Sequence, residues 1–242
     1  MRRIVCIGDI LPRMAFDNAQ ALIFTGSDVE KFLDGLSSNK VEINSDEVID
    51  TLVLDNKAKI IAQMHIFKLN NMYISVTIAD DFNRMIDYLN SKVLSQDVTI
   101  SNVTNLNHID IVYDEGKAHT KMKKLSEITQ IGINNLYTVE IYSKQLERLE
   151  LDGDDKSFTE WRIDNLIPWY DYEISSSVNP YQCGLNYQVH EDKGCFTGQE
   201  ILTRMRTRKK GIYRLVCRNN FDSSKSIAST KGSERSLYLE RN

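Results

Sequence analysis

The sequence lacks most of the features that mark metalloproteins, secreted proteins and membrane proteins. None of its four cysteines stands in a Cys-x-x-Cys spacing, and no pair of histidines lies near them. These absences argue against a zinc site or a four-cysteine iron–sulfur cluster held by this chain alone. No disulfide pattern, signal peptide or long apolar run is visible, so we expect a soluble protein of a reducing compartment, by default the cytoplasm. The cysteines are Cys6, Cys183, Cys195 and Cys217.

Proline and low-complexity sequence are also scarce. The chain has 242 residues, 41% of them apolar, and only three prolines, so it can bury a sizeable core in one or two closely packed domains. Its net charge of −4 argues against a broad nucleic-acid surface. A local basic cluster is most simply a solvated helix end; its members are Arg204, Arg206, Arg208, Lys209 and Lys210.

The hydrophobic pattern alternates between strands and amphipathic helices. Ala19–Thr25 predicts a strand, and a capping box at Ser27–Glu30 predicts a helix with one apolar stripe. Asp81 is a candidate cap for a second helix. No glycine-rich phosphate loop occurs, and antiparallel strands interleave with the helices, so we predict an α+β fold rather than a doubly wound parallel sheet. Further predicted strands are 51–55, 60–67, 72–79, 98–103, 109–113 and 136–142; weaker helices are predicted at 119–129 and 144–149.

Cys195 is the best candidate nucleophile. Thr197–Glu200 fits a capping box, which would place the thiol just before a helix start. The positive end of the helix dipole and the neighbouring Lys193 would both favour a thiolate. His190 offers a possible base for the thiol, although no third orienting residue can be assigned. The alternative is a buried structural cysteine beside a well-capped helix, which is the commoner fate of free cysteines.

The same segment carries a family resemblance. Lys193–Glu200 reads Lys-Gly-Cys-Phe-Thr-Gly-Gln-Glu, which resembles the signature of the YgfZ group of folate-binding proteins. That group is related to the aminomethyltransferase (T-protein) of the glycine cleavage system. Three other stretches agree in order: Phe24–Asp28 resembles the family's opening motif, Leu54–Ile60 its Asp-x-Lys-Gly-Lys hairpin, and Arg162–Pro168 its Arg-Ile-Glu-Ala-Gly-x-Pro segment.

The resemblance implies an architecture of two discontinuous α/β lobes of the aminomethyltransferase folate-binding type, followed by a β-barrel. On this basis residues 1–50 plus 136–208 form the first lobe and residues 51–135 the second. Residues 209–242 would form a truncated or rudimentary barrel, because few residues follow Glu200. Two strands are predicted there, at Ile212–Arg218 and Ser236–Glu240, and they would have to dock on the main body.

The resemblance also implies a tetrahydrofolate site. Asp164 matches the family's pterin-binding acid, one methylene shorter, and Phe158 matches a stacking aromatic. Trp161 and Arg204 are assigned to cofactor binding with them, and Cys195 and Lys193 to the chemistry. The simpler interpretations are a surface acid at Asp164 and a core tryptophan at Trp161.

The function implied is a folate-binding accessory protein for the assembly or repair of iron–sulfur enzymes, including those that modify tRNA, with Cys195 as a reactive thiol. Its partners would be a folate and the client enzymes, with no direct nucleic-acid contact, no membrane and no metal held by the chain. Two alternatives stay open: aminomethyltransferase-like one-carbon transfer to tetrahydrofolate, and a non-catalytic scaffold of the same fold. Whether the protein is an enzyme is left undecided by the sequence.

Overall fold

The structure is a computed structural model that describes residues 11–44, 46–113, 121–208, 210–221 and 228–241. Cys6, Lys209 and the first two residues of the helix predicted at 119–129 lie outside these ranges. The described helices are α1 (Val29–Leu36), α2 (Phe82–Lys92), α3 (Asp155–Asp164) and α4 (Gln199–Arg208). Short 3-10 turns occur at Thr104–Leu106, Pro180–Gln182 and Asn186–Gln188.

Thirteen strands are found in the described ranges. They are β1 (Arg13–Ala15), β2 (Ala19–Thr25), β3 (Val48–Leu54), β4 (Ile60–Leu69), β5 (Met72–Ile78), β6 (Thr99–Asn102), β7 (Asn107–Val112), β8 (Met122–Leu125), β9 (Ile128–Ile133), β10 (Tyr137–Ser143), β11 (Tyr213–Asn219), β12 (Thr230–Lys231) and β13 (Arg235–Arg241). They form three antiparallel sheets, of five, five and three strands. The mixed α/β composition agrees with the predicted fold class.

The first sheet has the order β3-β4-β5-β2-β6 and is covered on both faces. Successive side chains of a strand point to opposite faces. In β2, Ala19 and Ala21 therefore join the core shared with the second sheet, whereas Leu22 and Phe24 pack on the other face with α1 and α2. This two-sided burial explains why the central strands are apolar almost throughout.

The two helix starts on this sheet differ in their capping. Asp81 caps α2 as predicted, because its carboxylate accepts a hydrogen bond from the Arg84 amide at 3.0 Å. The capping box predicted at Ser27–Glu30 is wrong. The Ser27 hydroxyl donates to Asp97 instead, at 3.0 Å, and the Glu30 carboxylate accepts from the Tyr73 hydroxyl.

The second sheet has the order β1-β7-β10-β9-β8. The helix predicted at 119–129 is wrong, because β8 and β9 form a hairpin whose turn holds Ser126 at φ 55°. Beyond the end of the predicted helix, Ile131 and Ile133 of β9 alternate into the core. The short helix predicted at 144–149 is also absent from this described segment. Residues 144–146 form a turn there, and the Leu149 amide donates to the Tyr142 hydroxyl at 3.1 Å.

The C-terminal sheet has the order β11-β13-β12 and docks on α3. Its two long strands confirm the strands predicted at 212–218 and 236–240. A buried network joins it to the main body: the Arg162 guanidinium donates to Thr230 Oγ1 at 2.6 Å and to Glu173 Oε2 at 3.1 Å. Glu173 also accepts from the hydroxyls of Ser229 and Thr230. Burial lowers the pKa of Arg162, and the Glu173 carboxylate opposes that shift.

The predicted lobe boundaries do not coincide with the boundaries of the sheets. The division at 50/51 falls inside β3, and the division at 135/136 falls in the turn between β9 and β10. The described chain crosses from the second sheet to the first between β1 and β2, and it returns to the second sheet near Thr104–Leu106. The segment 165–198, which contains no long helix or strand, then packs across both sheets and contributes Ile167, Tyr181 and Phe196 to the shared core.

Candidate functional site

A cavity of about 250 Å³ lies where the two five-stranded sheets meet the segment that follows α3. One strand of the first sheet, the β9–β10 turn of the second and residues 166–169 contribute its walls. Its lining residues are Gln63, Asn134, Leu136, Tyr137, Leu166, Ile167, Pro168, Trp169 and Tyr187. This lining combines aromatic and aliphatic surface with a few neutral polar groups, as small-molecule sites commonly do.

Trp169 is held in one orientation by other aromatic rings. Its ring stacks on Phe16 with centroids 5.5 Å apart, and it meets Phe158 edge to face at 4.9 Å and Tyr137 at 6.1 Å. Its backbone amide donates to Glu173 Oε2 at 3.1 Å. The indole is therefore a rigid wall of the cavity, fixed by packing and by the buried Arg162–Glu173 network.

Two largely buried residues at the cavity carry polar groups that make no hydrogen bond to another described residue. Gln63 is 7% exposed and Tyr137 is 4% exposed, and neither the Gln63 amide nor the Tyr137 hydroxyl bonds to a described protein group. Burial, and then the negative charge of Asp50, raise the pKa of Tyr137 well above its ordinary value, so the hydroxyl stays protonated. The fully buried side-chain atoms without a partner among the described residues are Ser37 Oγ, His65 Nε2 and Gln188 Oε1, so the polar atoms of Gln63 and Tyr137 still reach the open space of the cavity.

The rim of the cavity is tied together by Asn134 and Tyr187. Asn134 sits in the β9–β10 turn at φ 51°, a left-handed conformation that asparagine tolerates better than most residues. Its Nδ2 donates to the Tyr187 hydroxyl at 3.1 Å. None of the residues that line this cavity carries a charge at neutral pH, so the site suits the uncharged part of a ligand.

A buried acid–imidazole pair lies behind the Gln63 wall. His65 Nδ1 is 2.6 Å from Asp50 Oδ1 across β3 and β4, and the imidazole is fully buried. His65 Nε2 has no hydrogen-bond partner among the described atoms. Because His65 follows Gln63 by two residues, both side chains leave the same face of β4. Gln63 and His65 interrupt the otherwise apolar run at residues 60–67 of β4, and this is the sequence signal that would have indicated the cavity.

Lys193 does not direct its ammonium group at the thiol. Its Nζ donates to the carbonyl oxygens of Ser37 at 2.8 Å, Asn39 at 3.0 Å and Asp34 at 2.5 Å, and lies 3.2 Å from Asp34 Oδ1. These carbonyls belong to the C-terminus of α1 and the residues after it, where a cation is favourable. An ammonium has three N–H donors, and this cage occupies them. Burial lowers the pKa of Lys193, and the Asp34 carboxylate opposes that shift.

The Cys195 segment also docks on the turn between β3 and β4. Gly198 has φ 85°, and a Cβ there would lie 2.8 Å from Ala58 Cα and 2.9 Å from the Asp55 carbonyl oxygen. Two of the stretches on which the family resemblance rests are therefore in contact. Ala58 takes φ 59° in this turn, at the position where the family pattern has glycine. Cys195 itself is exposed.

The capping box predicted at Thr197–Glu200 is wrong. Helix α4 begins at Gln199, so Gly198 takes the cap position, and its carbonyl accepts from the Leu202 amide at 3.3 Å. Glu200 pairs with Arg204 on the helix surface at 2.9 Å instead of reaching back to the cap. The approach of Gly198 to the β3–β4 turn leaves no space for a side chain there, which explains the glycine.

The four predicted cofactor residues lie in different surroundings. Phe158 is buried against Trp169, and Trp161 stacks on Phe158 with centroids 5.8 Å apart. The Asp164 carboxylate is partly exposed and accepts from Arg235 of the C-terminal sheet at 2.7 Å. Arg204 is exposed on α4. None of the four lines the 250 Å³ cavity, whereas Phe158 lines a wider, acidic cavity of about 570 Å³ on the Phe16 side of Trp169.

Comparisons with known proteins establish the fold. No protein-family model and no curated protein matches the sequence. Among solved structures, the chain resembles the glycine cleavage system aminomethyltransferase T from Bartonella henselae, with a TM-score of 0.71 at 10% identity, over 95% of this chain and 78% of that one. A heterotetrameric sarcosine oxidase from Corynebacterium sp. U-96 aligns at a TM-score of 0.38 and 6% identity, over 54% of this chain and 74% of that one. The first likeness shows an aminomethyltransferase-like fold.

Two classes of site are not found in the parts of the chain that the structure describes. No helix there is both long and apolar enough to cross a membrane. Nor do three or more histidine, cysteine or acidic side chains come together there in a way that could hold a metal ion.

Proposed function

We propose that the protein binds a reduced folate, with the pterin ring in the cavity beside Trp169, and acts as a cytoplasmic accessory factor for iron–sulfur enzymes. The observation that carries the proposal is this cavity, placed at the junction of the sheets in an aminomethyltransferase-like fold. The folate ligand and the iron–sulfur client enzymes in this proposal are taken from the resemblance of the sequence motifs to those of the YgfZ group. The tRNA-modifying enzymes among those clients would be contacted as proteins, so no direct nucleic-acid surface is required.

The cavity suits a flat heteroaromatic ring. It offers an indole wall for stacking and the neutral groups of Gln63, Tyr137 and Asn134 for hydrogen bonds at a ring edge. Its volume of about 250 Å³ is small for a complete folate, so the charged tail would leave toward solvent. Arg204 on the exposed face of α4 stays a candidate for the carboxylates of that tail.

The other predicted residues take modified roles in this proposal. Phe158 and Trp161 form the aromatic layer that supports Trp169. Asp164 would contact the ring only after releasing Arg235. Lys193 docks the cysteine segment on α1, and Cys195 supplies the exposed thiol on that segment. The thiol is thereby accessible to a client protein.

Aminomethyl transfer to tetrahydrofolate is the second candidate, because the aligned structure carries that name and covers most of this chain. Such transfer requires proton transfer at the reacting nitrogen. No carboxylate, imidazole or amine is among the described lining residues, and the Tyr137 hydroxyl is held protonated. The geometry therefore favours binding over group transfer at this cavity. A folate-free scaffold is the third possibility.

A fluorescence titration tests the folate proposal. The chain has two tryptophans, so Trp161→Phe leaves Trp169 as the single indole reporter. We expect 5-formyltetrahydrofolate to quench that emission saturably, because the ring would stack on the indole. Unchanged emission from the folded variant, together with no heat of binding to the unmodified protein, would support the scaffold alternative.

A complementation assay tests the accessory role. The unmodified chain and Cys195→Ser are expressed in a bacterium that lacks its own YgfZ-type protein, and iron–sulfur-dependent tRNA methylthiolation is measured. We expect the unmodified chain, but not the serine variant, to restore the modification. Activity with a lipoylated carrier protein and no rescue would favour the transferase alternative.

A further inference from the structure

We propose that Gln63 and Tyr137 are the specificity-determining residues of the cavity, and that they recognise the edge of an uncharged bicyclic heteroaromatic ring without an ionised acid. This inference rests on the proposed function and deepens it, because it names the groups that read the ring. It also replaces the carboxylate of Asp164, which the family resemblance suggests for this role, with neutral groups.

The two side chains line the cavity and make no hydrogen bond to another described residue. Gln63 is 7% exposed and Tyr137 is 4% exposed, and both line the same 250 Å³ cavity. Neither polar group bonds to a described residue, so each is free to bond a ligand. Both polar groups open onto the cavity, where the polar edge of a ligand would replace the water that they contact.

The hydrogen-bonding groups of Gln63 and Tyr137 complement those at the edge of a pyrimidine ring. The Gln63 amide offers one carbonyl acceptor and two N–H donors, and the Tyr137 hydroxyl can donate and accept. A 2-amino-4-oxopyrimidine edge presents adjacent donors and an acceptor, which such a pair can satisfy together. The Trp169 indole supplies the stacking surface for the ring face. Ionised ligands are disfavoured, because no charged side chain among the described lining residues would compensate the lost hydration of the ion.

The carboxylates of Asp164 and Asp50 are already paired with other side chains. Asp164 Oδ2 accepts from the Arg235 guanidinium at 2.7 Å, outside the lining of the cavity. The Asp50 carboxylate is likewise engaged, by His65 Nδ1 at 2.6 Å. Asp50 does not line the cavity; after burial, its negative charge is the second cause that raises the pKa of Tyr137. The Gln63 amide and the Tyr137 hydroxyl are therefore uncharged polar groups at the cavity that make no hydrogen bond to another described residue.

The test compares Gln63→Leu and Tyr137→Phe with the matched control Gln20→Leu. Gln20 lies on β2 of the same sheet, where its amide oxygen accepts from Asn102 Nδ2 at 2.6 Å, away from the cavity. Three probes are titrated: 5-formyltetrahydrofolate, the ring-only 6-hydroxymethylpterin and the tail-only p-aminobenzoylglutamate. We expect Gln63→Leu to weaken both ring-containing probes by roughly 10- to 100-fold, because a ring edge is left unpaired, and Tyr137→Phe to weaken them by about 10-fold. The control and the tail-only probe should be unaffected.

The outcomes separate this inference from the function on which it rests. If the unmodified protein binds 5-formyltetrahydrofolate and neither cavity variant weakens it, the folate function stands and this inference is overturned. If the folate fails to bind but the ring-only probe binds and requires Gln63, the ring recognition stands and the folate function is overturned. Failure of both ring probes with the unmodified protein overturns both. Melting temperatures of the variants show whether each is folded, and Tyr137→Phe removes one oxygen only, so it provides the test if Gln63→Leu unfolds.

Discussion

Replacing Lys193 with methionine would remove the cation that joins the Cys195 segment to helix α1. The side chain is 1% exposed, and its ammonium donates to three backbone carbonyls beside Asp34 Oδ1. Hydrogen bonds that involve a charged group contribute about 1.5–3 kcal/mol each, so three total roughly 5–9 kcal/mol. Desolvation of the buried ion opposes this by several kcal/mol. We expect Lys193→Met to lower the free energy of unfolding by about 2–4 kcal/mol.

Urea denaturation measures this change, with Lys59→Met as the control. Lys59 makes one long bond, to Gln182 Oε1 at 3.4 Å, so its loss should change stability by less than about 1 kcal/mol. In a chain of this length the Lys193 variant should melt about 5–15 °C lower. A loss below about 1 kcal/mol would refute the docking role.

The same variant distinguishes docking from activation of the thiol. If Lys193 held Cys195 as a thiolate, Lys193→Met would slow iodoacetamide alkylation of the folded protein severalfold. The cage predicts less than about a twofold change, because its N–H donors are occupied by oxygens of residues 34–39. A tenfold slower reaction with unchanged stability would instead support the hypothesis from the sequence that Lys193 stabilises the Cys195 thiolate.

Three further predictions follow from buried groups. Burial and then its hydrogen bond to Asp110 raise the pKa of Tyr142 to about 12, above an ordinary value of 10.0. Its stabilisation is therefore present below pH 10 and lost toward pH 12, so the stability difference between the unmodified protein and Tyr142→Phe should shrink over that window in urea titrations. Burial raises the pKa of Cys183 to about 12, so mass mapping after iodoacetamide treatment should find Cys195 labelled in the folded protein and Cys183 labelled only in urea. Glu173→Gln should lower the unfolding free energy by about 3–5 kcal/mol in urea, because it leaves a buried guanidinium without its counter-charge; a loss under 1 kcal/mol would contradict that reasoning.

Local patterns in the sequence predicted much of the fold. The strand at Ala19–Thr25, the helix after Asp81 and the two long C-terminal strands follow from periodicity and capping, which act over a few residues. The two wrong capping boxes share a physical cause, because contacts distant in sequence determine the local structure: Ser27 bonds to Asp97, and Gly198 packs against Ala58. The wrong helix at 119–129 has a local cause, because β8 and β9 pair as a hairpin.

The candidate site could be predicted only in part. The sequence indicated Cys195 and the aromatic residues of α3, because motif and composition are visible in one dimension. Gln63, Tyr137 and Trp169 come from three distant segments, and their common cavity exists only after the sheets meet. The hydrogen bonds that Lys193 donates at the end of α1 could not be predicted either. Their acceptors are backbone carbonyls that lie 154 to 159 residues earlier in the chain.

A crystal structure of the protein with 5-formyltetrahydrofolate tests the central claim most directly. The account predicts density for the ring against the Trp169 indole, with ring heteroatoms within about 3 Å of the Gln63 amide and the Tyr137 hydroxyl. Density for the ring at Asp164, or in the acidic cavity lined by Phe158, would contradict the assignment of the site. A ligand-free cavity at saturating folate would contradict the folate function itself.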